Sequence, residues 1–275
     1  MKRRWGPPFP FGLLWFWFLR ILPAWAGIAL IVFLMQVAIS AIMHDNNNVR
    51  TFLSFINLLP SIVKTALGGD LLESGSMSAL LTIGYQHPFV LFLDMVFAVG
   101  VPAGLLTAEV QKGSMELILS RPVTKTQVYV CAAVLTMIGM FGLFLVMFLG
   151  TVAAVNIYTF SEPIPLGLFF RIAMNGALLA STFAAFALLS AASFRRLYTA
   201  VGLSVAFLTL NYFVSIVSQW WPKLEFLRRA TLFYLVYYSN LWEGWPLRNM
   251  TIMAGILLVT TIVGGLIWCR RDLFL

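Results

Sequence analysis

Charge is what this chain has least of. Of its 275 residues only 10% are Asp, Glu, Lys or Arg, while 61% are hydrophobic. A water-soluble domain carries roughly 25% charged residues, so this composition excludes a soluble globule. Cysteine is nearly absent as well, with only Cys131 and Cys269. Two thiols expected at a reducing membrane face do not form a disulfide scaffold, and both read as structural thiols. His44 and His87 stand alone, with no Cys-x-x-Cys or His-x-x-x-His spacing, so no metal site is expected. There is no GxxxxGK[ST] phosphate loop, no His-Glu-x-x-His and no Gly-x-Ser-x-Gly. An intramembrane aspartyl protease needs two aspartates in neighbouring spans, and Asp94 has no such companion. Catalysis by this chain alone is therefore not expected, and no cofactor of its own is implied. No internal repeat is evident.

What is present is apolar sequence in long runs. A bilayer core of about 30 Å needs about 20 helical residues. Six stretches qualify, at about 21–43, 89–108, 127–155, 172–194, 197–220 and 249–269. The fold expected is an all-α integral membrane protein with one six-span domain over 21–275. Residues 1–20 precede it, with Lys2, Arg3 and Arg4 followed by Trp5, Phe9, Phe11, Trp15, Phe16, Trp17 and Phe18. Basic residues and Trp favour the headgroup level, so this segment is expected to form an interfacial helix. Ala24-Trp25-Ala26 imitates a signal-peptide cleavage site, but Arg20 interrupts the apolar run and the run continues past Ala26.

Charge decides orientation. One set of flanks holds eleven basic residues against three acids, and the other holds seven of each. The positive-inside rule puts the first set, and with it both termini, in the cytoplasm. The net charge of +8 then points to anionic lipid rather than nucleic acid. The localisation expected is the plasma membrane, the inner membrane in a bacterium.

Two outer stretches are long. In 44–88, Ser54, Asn57, Ser61 and Lys64 make one polar stripe at helical spacing, predicting an amphipathic surface helix that ends near Gly68-Gly69, with Pro60 as a break point. A plug and an outer gate are both open readings of it. In 223–248, Ala230 to Trp242 is too short to span and is rich in aromatics, which predicts an interfacial or re-entrant piece.

Within the spans, Gln36, Asn175 and Asn211 are the polar residues that could line a path, though such side chains more often hydrogen-bond a neighbouring helix. No span carries a central ionisable group, and Asp94 reads as near an outer end. This argues against ion-coupled transport. Gly100 and Gly104 have GxxxG spacing and are candidates for a close helix contact.

The most structured polar stretch is 109–127, Glu-Val-Gln-Lys-Gly-Ser-Met-Glu-Leu-Ile-Leu-Ser-Arg-Pro-Val-Thr-Lys-Thr-Gln. Gly113 breaks the incoming helix, 114–119 suffices for little more than one turn, and Pro122 stops it. Thr124 and Gln127 form a capping-box pattern that starts the next helix. The result is a stiff knob, readable as a plain turn or as an element that transmits a push.

This stretch resembles the cytoplasmic segment of type-2 ABC exporter permeases (the ABC-2 family). The matching residues are Glu109, Gly113-Ser114-Met115-Glu116 and Leu119-Ser120-Arg121-Pro122-Val123. Phe233-Tyr234, Tyr237-Tyr238 and Gly244 in the last outer loop, and the Cys269-Arg270-Arg271-Asp272-Leu273 ending, are similar to further family features. Lys125 and Cys131 depart from the pattern. The resemblance implies a half-permease that pairs with a second permease subunit, as a homodimer or with a similar chain. It also implies two copies of a separate ATPase subunit, which would bind the ATP and magnesium. Glu109, Gly113, Glu116, Leu117, Ile118, Arg121 and Pro122 would then form the coupling element. A membrane anchor that moves no solute, and less readily an intramembrane enzyme, are the competing classes.

Overall fold

A computed structural model describes residues 9–60, 63–64, 76–236 and 240–272. All the regular structure among them is helical. We label the main helices α1 (Phe11–Met43), α2 (Asn46–Leu58), α3 (Met77–Gln86), α4 (Pro88–Pro102), α5 (Ser114–Leu119), α6 (Lys125–Ile157), α7 (Leu166–Ser193), α8 (Leu197–Trp220) and α9 (Leu247–Arg270). After Pro102, α4 continues as a π-helical turn, Ala103–Thr107, and a last α turn, Ala108–Gln111. Among the described residues, six helical segments are long and apolar enough to cross a membrane: α1, Met77–Gln111, α6, α7, α8 and α9. This agrees with the six spans expected from the sequence.

Two boundaries are corrected. The first helix runs without a break from Phe11 to Met43, through Pro23, so residues 11–20 are not a separate helix lying beside the span. One face of this stretch is anchored in the bundle, with Trp17 fully buried, while Phe11, Trp15 and Phe16 face outward. The second segment begins earlier than expected. The end of the predicted outer loop, Met77–Gln86, is a buried helix. Gln36 Nε2 donates to Leu81 O at 3.3 Å, and the hydroxyls of Tyr85 and Thr151 are 2.7 Å apart. The amphipathic helix in the same loop stops at Leu58, two residues before Pro60. Its expected end at Gly68-Gly69 lies outside the described residues.

α7 is the hub. It packs on α9, α6, α4 and α8. Within its most apolar window 78% of residues are buried, against 17% in α8 and in α9, so those two helices turn most of their surface outward. Small residues let the helices approach. Ala184, Ala187 and Ala191 of α7 are buried and form a small-residue face of the kind that lets helices pack closely. A Cβ on Gly150 would stand 3.0 Å from Phe33 O, and side chains on Gly139 or Gly176 would collide with Phe97 or Phe144. Gly100 and Gly104 behave differently: a Cβ on either meets nothing within 4 Å. Among the described residues their GxxxG spacing therefore makes no close helix contact.

In the last loop, among the described residues, the structure has short pieces only: 3₁₀ turns Pro222–Leu224 and Leu232–Leu235, and the helical turns Glu225–Arg228 and Asn240–Glu243. Leu241 and Val236 are buried, so this stretch folds back onto the bundle. Residues 237–239, which include Tyr237 and Tyr238, lie outside the described residues.

Candidate functional site

The charged knob is built from local constraints first. Gly113 adopts φ +75°, a left-handed conformation that most side chains resist, and so ends the incoming helix. The six-residue helix α5 follows, and Arg121 and Pro122 turn the chain after it. Thr124 Oγ1 accepts from Gln127 N at 3.2 Å while Gln127 Oε1 accepts from Thr124 N at 3.0 Å, completing the capping box.

Tertiary bonds then hold the knob in place. Arg20 of α1 donates to Glu109 Oε1 at 2.5 Å. The Ser114 hydroxyl, in the first turn of α5, donates to Glu109 Oε2. Glu109 is thus buried and faces inward, fastening α1 to both sides of the Gly113 break. Met115 is the anchor of α5, at 1% exposure. The neighbouring start of α6 is tied to the C-terminal end: Trp268 Nε1 donates to Lys125 O at 3.0 Å, and Lys125 Nζ donates to Arg271 O at 2.8 Å. Arg271 Nη1 in turn donates to Ala192 O and Phe194 O, joining the end of α7. Burial and the neighbouring Arg195 lower the Arg271 pKa, yet a guanidinium keeps its charge. Gln111 Oε1 accepts from Leu197 N at 2.7 Å, adding the start of α8. Helix ends from α1, α4, α6, α7, α8 and α9 therefore meet around this knob at the basic end of the bundle.

The outward surface of the knob is the part not used by these bonds. Glu116, Arg121 and Pro122 are exposed, and Leu117 is 72% exposed. Ile118 is half-buried and packs partly on the chain's own core, as do Leu119 and Val123. Leu117, Ile118, Arg121 and Pro122 form one wall of a groove of about 700 Å³, whose other wall is the start of α1, including Phe11 and Phe16. An apolar groove beside a protruding leucine, framed by charged residues, has the chemistry of a protein docking surface.

The expected coupling residues thus separate into two groups. Glu109 and Gly113 shape the knob from within, while Glu116, Leu117, Arg121 and Pro122 are presented by it. In the sequence, Ser114 and Met115 stand out only as part of the family-like motif and Arg20 only as a break in an apolar run, while Trp268 does not stand out. Arg20 had a readable signal, as a cation interrupting the first apolar run on the same predicted side as Glu109.

The three intramembrane polar candidates do not converge. Gln36 bonds α3 as described. Asn211 Oδ1 accepts from Leu232 N at 3.1 Å, holding the 3₁₀ turn Leu232–Leu235. Asn175 is fully buried in α7, with neither amide atom hydrogen-bonded among the described residues. Cys131 and Cys269 are both free thiols; Cys131 is buried, and Cys269 is half-buried with its Sγ 3.2 Å from Thr126 Oγ1. No cluster of three His, Cys, Asp or Glu able to hold a metal occurs among the described residues. No protein-family model matches the chain, and no curated protein is significantly similar to it.

Proposed function

We propose that this chain is the membrane-spanning permease subunit of an ATP-driven ABC-2-type transporter, an exporter, coupled to a separate ATPase subunit through residues 109–125. The observation that carries the reading is the exposed Leu117 on a short helix that is rigidly fastened from behind. A lone exposed leucine is ordinary, but here Leu117 is continuous with the apolar groove lined by Ile118, Phe11 and Phe16, a contiguous patch that supports a docking surface. Ser114 ties α5 to Glu109, which is held by Arg20 of α1, and Met115 is buried, so force applied to the outer face of α5 is passed to the start of the bundle. In this reading two such chains assemble in the plasma membrane with both termini cytoplasmic, and two ATPase subunits bind the ATP and magnesium. Glu116 and Arg121 meet a polar rim on the ATPase, and Leu117 fills its apolar slot.

The test is affinity purification of the full-length chain from its native membrane, with subunit composition and ATP hydrolysis measured on the eluate. An ATPase in equal stoichiometry is expected. Glu116→Ala weakens its retention slightly, since a rim charge contributes about 0–1 kcal/mol. Leu117→Asp removes it, because forcing a carboxylate into an apolar slot costs several kcal/mol. Retention at the wild-type level by a folded Leu117→Asp protein, or no ATPase with the wild type, refutes the coupling reading.

A further inference from the structure

A second site lies away from the knob, between α4, α7 and α8 and beneath the 3₁₀ turn Leu232–Leu235. It is a half-open cleft with room of about 170 Å³, bordered by Asp94, Tyr212, Phe92, Phe144, Phe183 and Phe233. Asp94 is 5% exposed. It makes no hydrogen bond or ion pair among the described residues, and its Oδ2 is fully enclosed. The Tyr212 hydroxyl is likewise buried and has no partner among the described residues. The rings touch one another: Phe233 is 5.4 Å from Phe183 and 5.5 Å from Tyr212, centroid to centroid. The roof is held down by the Asn211–Leu232 bond. Asp94 lies in the second turn of α4, near its start, as the sequence suggested, and inside the long apolar segment Met77–Gln111.

Buried polar groups in native proteins are nearly always partnered, and a buried ionisable group within a span marks a functional site by default. The surroundings select the partner. A metal ion finds a single carboxylate here, and a small hydrated inorganic ion gains nothing from apolar walls. An organic cation gains from every wall: the carboxylate takes its charge, ring faces attract it through their quadrupoles, and alkyl groups displace water from phenyl surfaces. A dry cavity of about 150 Å³ holds benzene, so the space suits a ligand of that size. We propose that the Asp94 cavity binds a small alkylammonium or quaternary ammonium ion, with Asp94 as counter-ion, Phe183 and Phe233 against the cationic face, and Tyr212 meeting a polar substituent. Asn211 acts as a positioning residue by holding Phe233 over the site.

This site goes beyond the coupling reading and does not depend on it, since binding is measurable without an ATPase. The experiment is isothermal titration of the purified full chain in lipid nanodiscs with tetramethylammonium, with choline, and with 3,3-dimethylbutan-1-ol, the uncharged isostere of choline. Saturable binding of at least one of the two cations is expected, with the alcohol weaker by at least about tenfold. Asp94→Asn should reduce cation affinity at least about tenfold, and Phe183→Leu a few-fold, without changing affinity for the alcohol. If neither cation binds, if the alcohol binds as tightly as choline, or if folded Asp94→Asn binds cations like the wild type, the proposal is overturned. Should Asp94→Asn not fold, the comparison of choline with its isostere on the wild type decides by itself.

Discussion

Glu109 and Asp94 belong to the same apolar segment and are buried to the same degree, 6% and 5% exposed. Their surroundings are opposite. Glu109 has a guanidinium on one oxygen and a hydroxyl on the other. Asp94 has aromatic rings, a cavity and no polar partner among the described residues. Burial alone therefore says little about what a membrane carboxylate does. A satisfied carboxylate is a fastener: its bonds are already made and give rigidity to the elements it joins. An unsatisfied one leaves a favourable interaction to be completed by something that enters. The basic end of the bundle is accordingly bolted together, and the Asp94 region is left incomplete.

The comparison can be broken most directly by replacing each carboxylate with leucine in the full chain and following thermal unfolding in the same nanodiscs. Glu109→Leu is expected to destabilise by about 2–3 kcal/mol. Removing one half of a buried pair costs more when the other half stays dry, but the Arg20 side chain is 40% exposed and can regain water. Asp94→Leu is expected to act in the opposite direction, stabilising by about 1–2 kcal/mol, because it removes an unpartnered polar group and the adjoining cavity accommodates the branched side chain. A loss of stability there would mean that Asp94 is already satisfied and that the contrast is false. Tyr212→Phe sharpens the same point with less perturbation. Removing only its unpartnered hydroxyl should raise stability by roughly 0.5–1 kcal/mol. The smallest effect is expected at Glu116, an exposed acid on the outer face of α5. Glu116→Ala should change stability by no more than about 0.5 kcal/mol. A larger loss would show that this face is part of the fold rather than a surface kept for a partner.

The sequence by itself determined what depends on neighbours along the chain. Six runs of apolar residues are long enough to cross a bilayer because backbone polar groups in hydrocarbon must be satisfied within a helix. The short helix between Gly113 and Pro122, and the capping box at Thr124 and Gln127, follow from backbone conformations that single residues impose. The tertiary structure alone decided what depends on residues far apart. It joined Arg20 to Glu109 and buried Met77–Gln86 beside α1. It made Gly139 and Gly176, rather than Gly100 and Gly104, the points of close approach. It also enclosed Asp94 among rings drawn from α4, α6, α7 and the Leu232–Leu235 turn. A helical repeat shows that a residue lies on some face, but only packing decides what that face meets, and for a carboxylate in a membrane that difference separates a fastener from a binding site.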